Sequence, residues 1–76
     1  MTSRMPRVTS TQAVRALHRA GWYDEDQSGS HLSLRHLNKQ GKVIVPIHRG
    51  KVLKPGTLAS ILDDAGLTAE EFRRLL

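Results

Sequence analysis

Two stretches of alternating sequence, His31–Leu37 and Lys42–His48, flank the turn-forming run Asn38-Lys39-Gln40-Gly41. A period of two sends successive side chains to opposite faces, so a hairpin is the arrangement that gathers one apolar set. Leu32 and Leu34 form that set on one strand; Val43, Val45 and Ile47 form it on the other. His31, Ser33 and Arg35 then face outward, beside Lys42, Ile44, Pro46 and His48. With residues 38–41 as the loop, Leu37 is expected opposite Lys42, Leu34 opposite Val45 and Leu32 opposite Ile47. The same register puts Ser33 opposite Pro46 and His31 opposite His48. Pro46 has no N–H for a ladder, so its strand is expected at an edge or to stop pairing there.

The flanks read as helices and one more strand. Thr9-Ser10-Thr11-Gln12 is a capping box, followed by Ala13, Val14, Ala16, Leu17 and Ala20 at helical spacing. Gly21 is placed to end that helix in a left-handed conformation. Trp22-Tyr23 enter a first strand that fades into Asp24-Glu25-Asp26-Gln27, with Ser28-Gly29 as the turn. As neighbours on a strand, Trp22 and Tyr23 point to opposite faces, and one is expected in the core. A second helix is expected from Pro55–Thr57 through Leu58, Ile61 and Leu62 to Gly66. A second capping box, Thr68-Ala69-Glu70-Glu71, opens a last helix through Phe72 and Leu75. The fold class is α+β: α-β-β-β-α(-α), a three-stranded antiparallel sheet with helices on one face.

At 76 residues the chain is expected to be one domain, residues 9–76, behind an N-terminal leader, residues 1–8. A chain this short buries roughly 60% of its unfolded surface, so its core is thin. There is no cysteine, which excludes disulfides and thiolate zinc sites. No apolar run approaches the ~20 residues of a membrane span, and no apolar core follows the N-terminal arginines to make a signal peptide.

Charge is segregated. The formal net charge is +5, yet no Asp or Glu occurs between Gln27 and Leu62. Arg35, Lys39, Lys42, Arg49, Lys51 and Lys54 all fall in that interval. Such a field favours a polyanionic partner. His31 opens a strand within it, behind Gly29 and Ser30. Metal-free ribonuclease chemistry needs a base near neutral pH, an acid for the leaving oxygen and cations for the phosphorane. His31 is the leading candidate for the base or acid, and His48 the candidate second group. His36 lies an odd number of residues from His31 and reads as structural. His18 sits on the first helix beside Arg15 and Arg19 and reads as surface. The histidines lack metal-site spacing, so neither metal nor cofactor is expected.

Lys51, Lys54, Gly56 and Thr57 form an anion-binding candidate at the start of the second helix. Its free amides carry partial positive charge, Gly56 leaves room for a phosphate, and Thr57 could cap the helix or donate its hydroxyl. Ser30, Arg35, Lys42 and Arg49 complete the candidate RNA-binding set. The chain lacks the interleaved aromatics of a single-strand stacking platform, so recognition would rest on backbone and shape.

Several segments in this order resemble one family. They are Ala16-Leu17 through Gly21-Trp22, Gly29-Ser30-His31, Gly41–His48, Lys54-Pro55-Gly56-Thr57-Leu58, Ile61-Leu62 and Ala65-Gly66-Leu67. Together they resemble the HicA (YcfA-like) toxins of bacterial type II toxin–antitoxin systems, over roughly Met5 to Leu76. The resemblance implies a double-stranded-RNA-binding-like fold, ribosome-independent cleavage of mRNA in the cytoplasm, and neutralisation by a HicB-type antitoxin in a hetero-oligomer. The family's catalytic histidine falls on His31. Many members carry a histidine or polar residue next to it, where this chain has Leu32. Two other classes fit the residues: a non-catalytic RNA- or DNA-binding module, and a protein-interaction domain whose basic face docks an acidic partner.

Overall fold

The computed structural model describes residues 5–76; Met1 to Arg4, half of the expected leader, lie outside the described residues. The elements are α1 (Ser10–Arg19), β1 (Trp22–Ser28), β2 (His31–His36), β3 (Lys39–Pro46), α2 (Pro55–Ala65) and α3 (Ala69–Leu75). The sheet is antiparallel in the order β1-β2-β3, which makes this the expected α+β fold. Leu32, Leu34, Val43 and Val45 are buried beneath the helices, while His31 and Ile44 are exposed on the other face.

Each helix starts and stops for a local reason. Thr9 caps α1 through a full capping box with Gln12, and His18 and Arg19 sit in the last turn, where cations suit the helix dipole. Gly21 follows with φ +98°, a conformation costly for any residue with a Cβ. A Cβ there would also lie 2.7 Å from His36 Nε2. α3 is only seven residues, too short to persist unaided. Its capping box, Thr68 with Glu71, contributes about 1 kcal/mol. Phe72, fully buried, contributes roughly 2–3 kcal/mol. Arg19 Nη1 further ties α1 to α3 by donating to the Leu75 carbonyl at 2.6 Å.

The N-terminal segment joins the core before α1 begins. Val8 is 3% exposed and Met5 packs against the core cluster. The Leu53 N–H donates to the Val8 carbonyl at 2.8 Å, and Thr9 and Val52 form an antiparallel bridge. The extended stretch between β3 and α2 is thereby fixed against the start of the domain.

The β2–β3 register differs from the expected one. His31 lies opposite Pro46, Leu32 opposite Val45, Ser33 opposite Ile44 and Leu34 opposite Val43. The same residues face the core, because the displacement is two residues and preserves parity. The cause is the hairpin. Its turn is the two residues Leu37-Asn38, with His36 opposite Lys39, and the ladder then shifts between Leu34 and His36. Gly41, with φ +76°, sits in that irregular stretch of β3 rather than at the hairpin tip. β3 is an edge strand, as Pro46 required. Ile47 N–H donates to the Ser30 carbonyl at 2.6 Å, so alternation turns the Pro46 nitrogen to the outer edge.

Candidate active site

Gly29-Ser30-His31 acquires a physical meaning in the β1–β2 hairpin. Ser28 and His31 are the closing pair, and Gly29-Ser30 form the two-residue turn. Gly29 has φ +58°, the positive value a tight hairpin needs at its first central position. Ser30 offers its carbonyl to Ile47, which extends pairing with the β3 side past Pro46. Its role visible here is that backbone bond. His31 is therefore held at the first position of β2, on the open face. Its exposed ring has no hydrogen-bond partner among the described residues.

Across from it lies a cleft. Pro46, directly opposite His31, lines a cavity of about 430 Å³ together with His48, Lys51, Val52, Leu53, Lys54 and Thr57. His48 is thus not opposite His31, as the expected register had it. It stands two residues past Pro46, beyond the end of β3, and lines the same cavity. The His48 amide donates to the buried Ser10 hydroxyl at 3.3 Å, and its carbonyl accepts from Lys51 N–H at 3.2 Å. Gly50, with φ +72°, turns the chain between them. These bonds place His48 and Lys51 on the same wall.

The start of α2 closes the cleft. Lys54 is the N-cap residue, with extended φ −63° and ψ 143°, and no side chain caps the helix. Of the two roles open to Thr57, capping is not the one it takes: Thr57 stands within the first turn and lines the cleft. Pro55 fixes the first helical position and brings no N–H. The first turn contains no acid, so nothing there offsets the positive end of the helix dipole.

The basic residues divide into two groups. Arg35 Nε lies 3.2 Å from Glu25 Oε1 on the open face, and Lys39 Nζ donates to the Ala65 carbonyl at 2.9 Å, satisfying the C-terminal end of α2. Lys42, Arg49, Lys51 and Lys54 are exposed and hold no ion pair among the described residues. Of these, Lys51 and Lys54 line the cleft with His48. Gly56 is exposed, and a Cβ built on it meets nothing within 4 Å.

The remaining histidines are structural. His18 Nε2 lies 2.7 Å from Asp24 Oδ1, linking α1 to β1. His36 accepts from Asn38 N–H at Nδ1, at 3.0 Å, so its Nε2 carries the proton donated to the Ala20 carbonyl, also at 3.0 Å. Its ring meets Trp22 edge-on, with centroids 5.3 Å apart. Among the described residues, no three His, Cys, Asp or Glu side chains gather into a metal-binding group. Sequence reasoning gave the acids of β1 no role. The ladder shifts register between Asp24 and Asp26; Asp24 meets the His18 ring and Glu25 the Arg35 guanidinium.

The chain is thus a small basic α+β domain in which His31 stands opposite one wall of a cleft that carries two lysines. Residues 10–67 match the family model described as the HicA toxin of bacterial toxin–antitoxin systems, and the chain belongs to that family. Its role is that of a toxin, and an antitoxin is its implied partner. The match spans α1 to just past α2 and ends before α3. No curated protein matches the chain. Among the described residues, no helix is long and apolar enough to cross a membrane.

Proposed function

We propose that this toxin is a metal-independent endoribonuclease that cuts mRNA in the cytoplasm and is silenced by a HicB-type antitoxin. The observation that carries the reading is the pairing of His31 with Pro46, because Pro46 is a wall of the cleft that also holds His48, Lys51, Lys54 and Thr57. A phosphate seated on the two lysines lies between two imidazoles. His31 takes the proton of the ribose 2′-hydroxyl, and that oxygen attacks phosphorus. Lys51 and Lys54 balance the extra charge of the phosphorane. His48 gives a proton to the departing 5′-oxygen as the P–O5′ bond breaks. The products are a 2′,3′-cyclic phosphate and a 5′-hydroxyl. Because Pro46 and not His48 stands opposite His31, the two imidazoles are offset along the chain, as acid and base must be to flank the phosphate rather than touch each other.

The open face supports the antitoxin reading. Tyr23 and Ile44 are 45% and 43% exposed there, beside the Glu25–Arg35 pair and the rim cations Lys42 and Arg49. An acidic antitoxin is steered to that rim, covers His31 directly, and excludes RNA by occupying its place.

The test is cleavage of a long single-stranded RNA by the purified chain in EDTA. The parent is expected to cut, leaving cyclic or 3′-phosphate ends and 5′-hydroxyls. His31→Ala is expected to bind the same RNA without cutting it. Activity lost in EDTA and restored by Mg²⁺ would overturn the mechanism. A parent that binds RNA and never cuts would leave a binding module.

A further inference from the structure

We propose that a second hollow beside the cleft holds the base of the nucleotide next to the scissile phosphate, so the RNA crosses the Val52–Lys54 segment as a single strand. This rests on the ribonuclease reading. The second hollow has a volume of about 270 Å³ and shares Val52, Leu53 and Lys54 with the first. The two cavities therefore lie on either side of one short extended segment. Its far wall comes from Met5, Pro6 and Arg7, and α2 contributes Pro55.

Chemistry and rigidity agree with that occupant. Met5, Pro6, Val52, Leu53 and Pro55 bring aliphatic side chains to the second hollow, its charged groups are Arg7 and Lys54, and no acid lines either hollow among the described residues. Val52 is apolar yet 46% exposed at the ridge between them. A flat base with apolar faces, attached to a phosphate on each side, matches an apolar floor between cations. The hollow is smaller than the ~300–1,000 Å³ of sites for larger ligands, which suits one base. The Val8–Leu53 hydrogen bond and the Thr9–Val52 bridge lock both walls together, so the hollow is preformed. No aromatic ring lines it among the described residues, so preference among bases rests on size rather than stacking strength.

The experiment uses the full chain and an RNA with one 2′-deoxy nucleotide at the cut site, which blocks attack. A single abasic position is walked along this RNA, and affinity is measured for the parent, Arg7→Glu and Val52→Glu; both positions are exposed. One abasic position beside the deoxy nucleotide is expected to cost the parent roughly fivefold, the effect of taking about 40 Å² of base surface out of water against aliphatic side chains. In Val52→Glu the same lesion is expected to cost nothing further. Arg7→Glu is expected to weaken RNAs that reach the hollow and to spare one that ends at the cut site. If the parent binds and cuts RNA but the lesion costs the same in Val52→Glu, the hollow is wrong and the ribonuclease reading stands. If the parent neither binds nor cuts RNA, or an acidic peptide fills the hollow in its place, both readings fall.

Discussion

Replacing Lys51 and Lys54 together by alanine isolates the phosphate-binding part of the cleft. Both line the cavity, both are exposed, and neither is engaged by an acid among the described residues. Each lysine is therefore expected to neutralise one phosphate in full. For single-stranded nucleic acid, each such contact adds about 0.7 to the slope of log affinity against log salt. Between roughly 50 and 200 mM salt, a fourfold change, one contact is worth about 2.6-fold in affinity and two about sevenfold. The parent should thus lose about seven times more affinity than the double variant across that range. Fluorescence anisotropy with an intact RNA, in a His31→Ala background that prevents cutting, measures both slopes. Lys39→Ala is the control, since its ammonium is committed to the Ala65 carbonyl and should leave the slope alone. Both cleft lysines are surface side chains, and only the Lys54 backbone serves α2, so thermal stability should stay within ~0.5 kcal/mol. Equal slopes for parent and double variant, with both folded, would refute the assignment of the cleft to phosphate.

Two further outcomes test the scaffold. Gly21→Ala combines a positive-φ strain with a Cβ 2.7 Å from His36 Nε2, and breaks the bond from that ring to Ala20. A loss of about 2–3 kcal/mol, read as a fall of roughly 10–20 °C in melting temperature, is expected, and it should shrink when His36 is also alanine. The Glu71 carboxyl is held below its ordinary value of 4.5, chiefly by the Thr68 backbone N–H and then by the Thr68 hydroxyl. A depressed acid contributes stability above its unfolded pKa and loses it as pH falls through the folded one. Glu71→Gln keeps an acceptor for Thr68 but cannot titrate, so melting temperature should fall less steeply below pH 4.5 than in the parent.

The legible parts of this fold were those with a strictly local cause. Thr9 with Gln12, and Thr68 with Glu71, form reciprocal caps wherever a helix follows, and both do so here. The alternation of Leu32, Leu34, Val43 and Val45 identified the buried face, and Pro46 identified the edge. The register was not legible, because Asn38-Lys39-Gln40-Gly41 has the composition of a loop while Gly41 serves an irregularity within β3. Leu37, apolar and expected to pair, is 87% exposed in the turn. That two-residue displacement decided which group faces His31. The pairing of Glu25 with Arg35 was hidden for a similar reason, since a bulge in β1 has no signature in Asp24-Glu25-Asp26. The cleft itself joins residues from β3 to α2 through the anchoring of Val52 and Leu53 to Val8 and Thr9, a long-range contact that periodicity does not encode.

The outward-facing nitrogen of Pro46 has a consequence for inhibition. Lys42 and Ile44 present backbone groups along the free side of β3, where an incoming strand from another protein could lengthen the sheet. Such a strand loses its donor at Pro46, itself the first wall of the cleft, and must leave the ladder there, before His48 and the residues beyond it. Main-chain zippering can therefore bring an inhibitor up to this corner but cannot seal it. Shutting the site requires side chains or a loop that turns inward past the proline, so recognition of the edge and blockade of His31 fall to separate parts of whatever protein performs them.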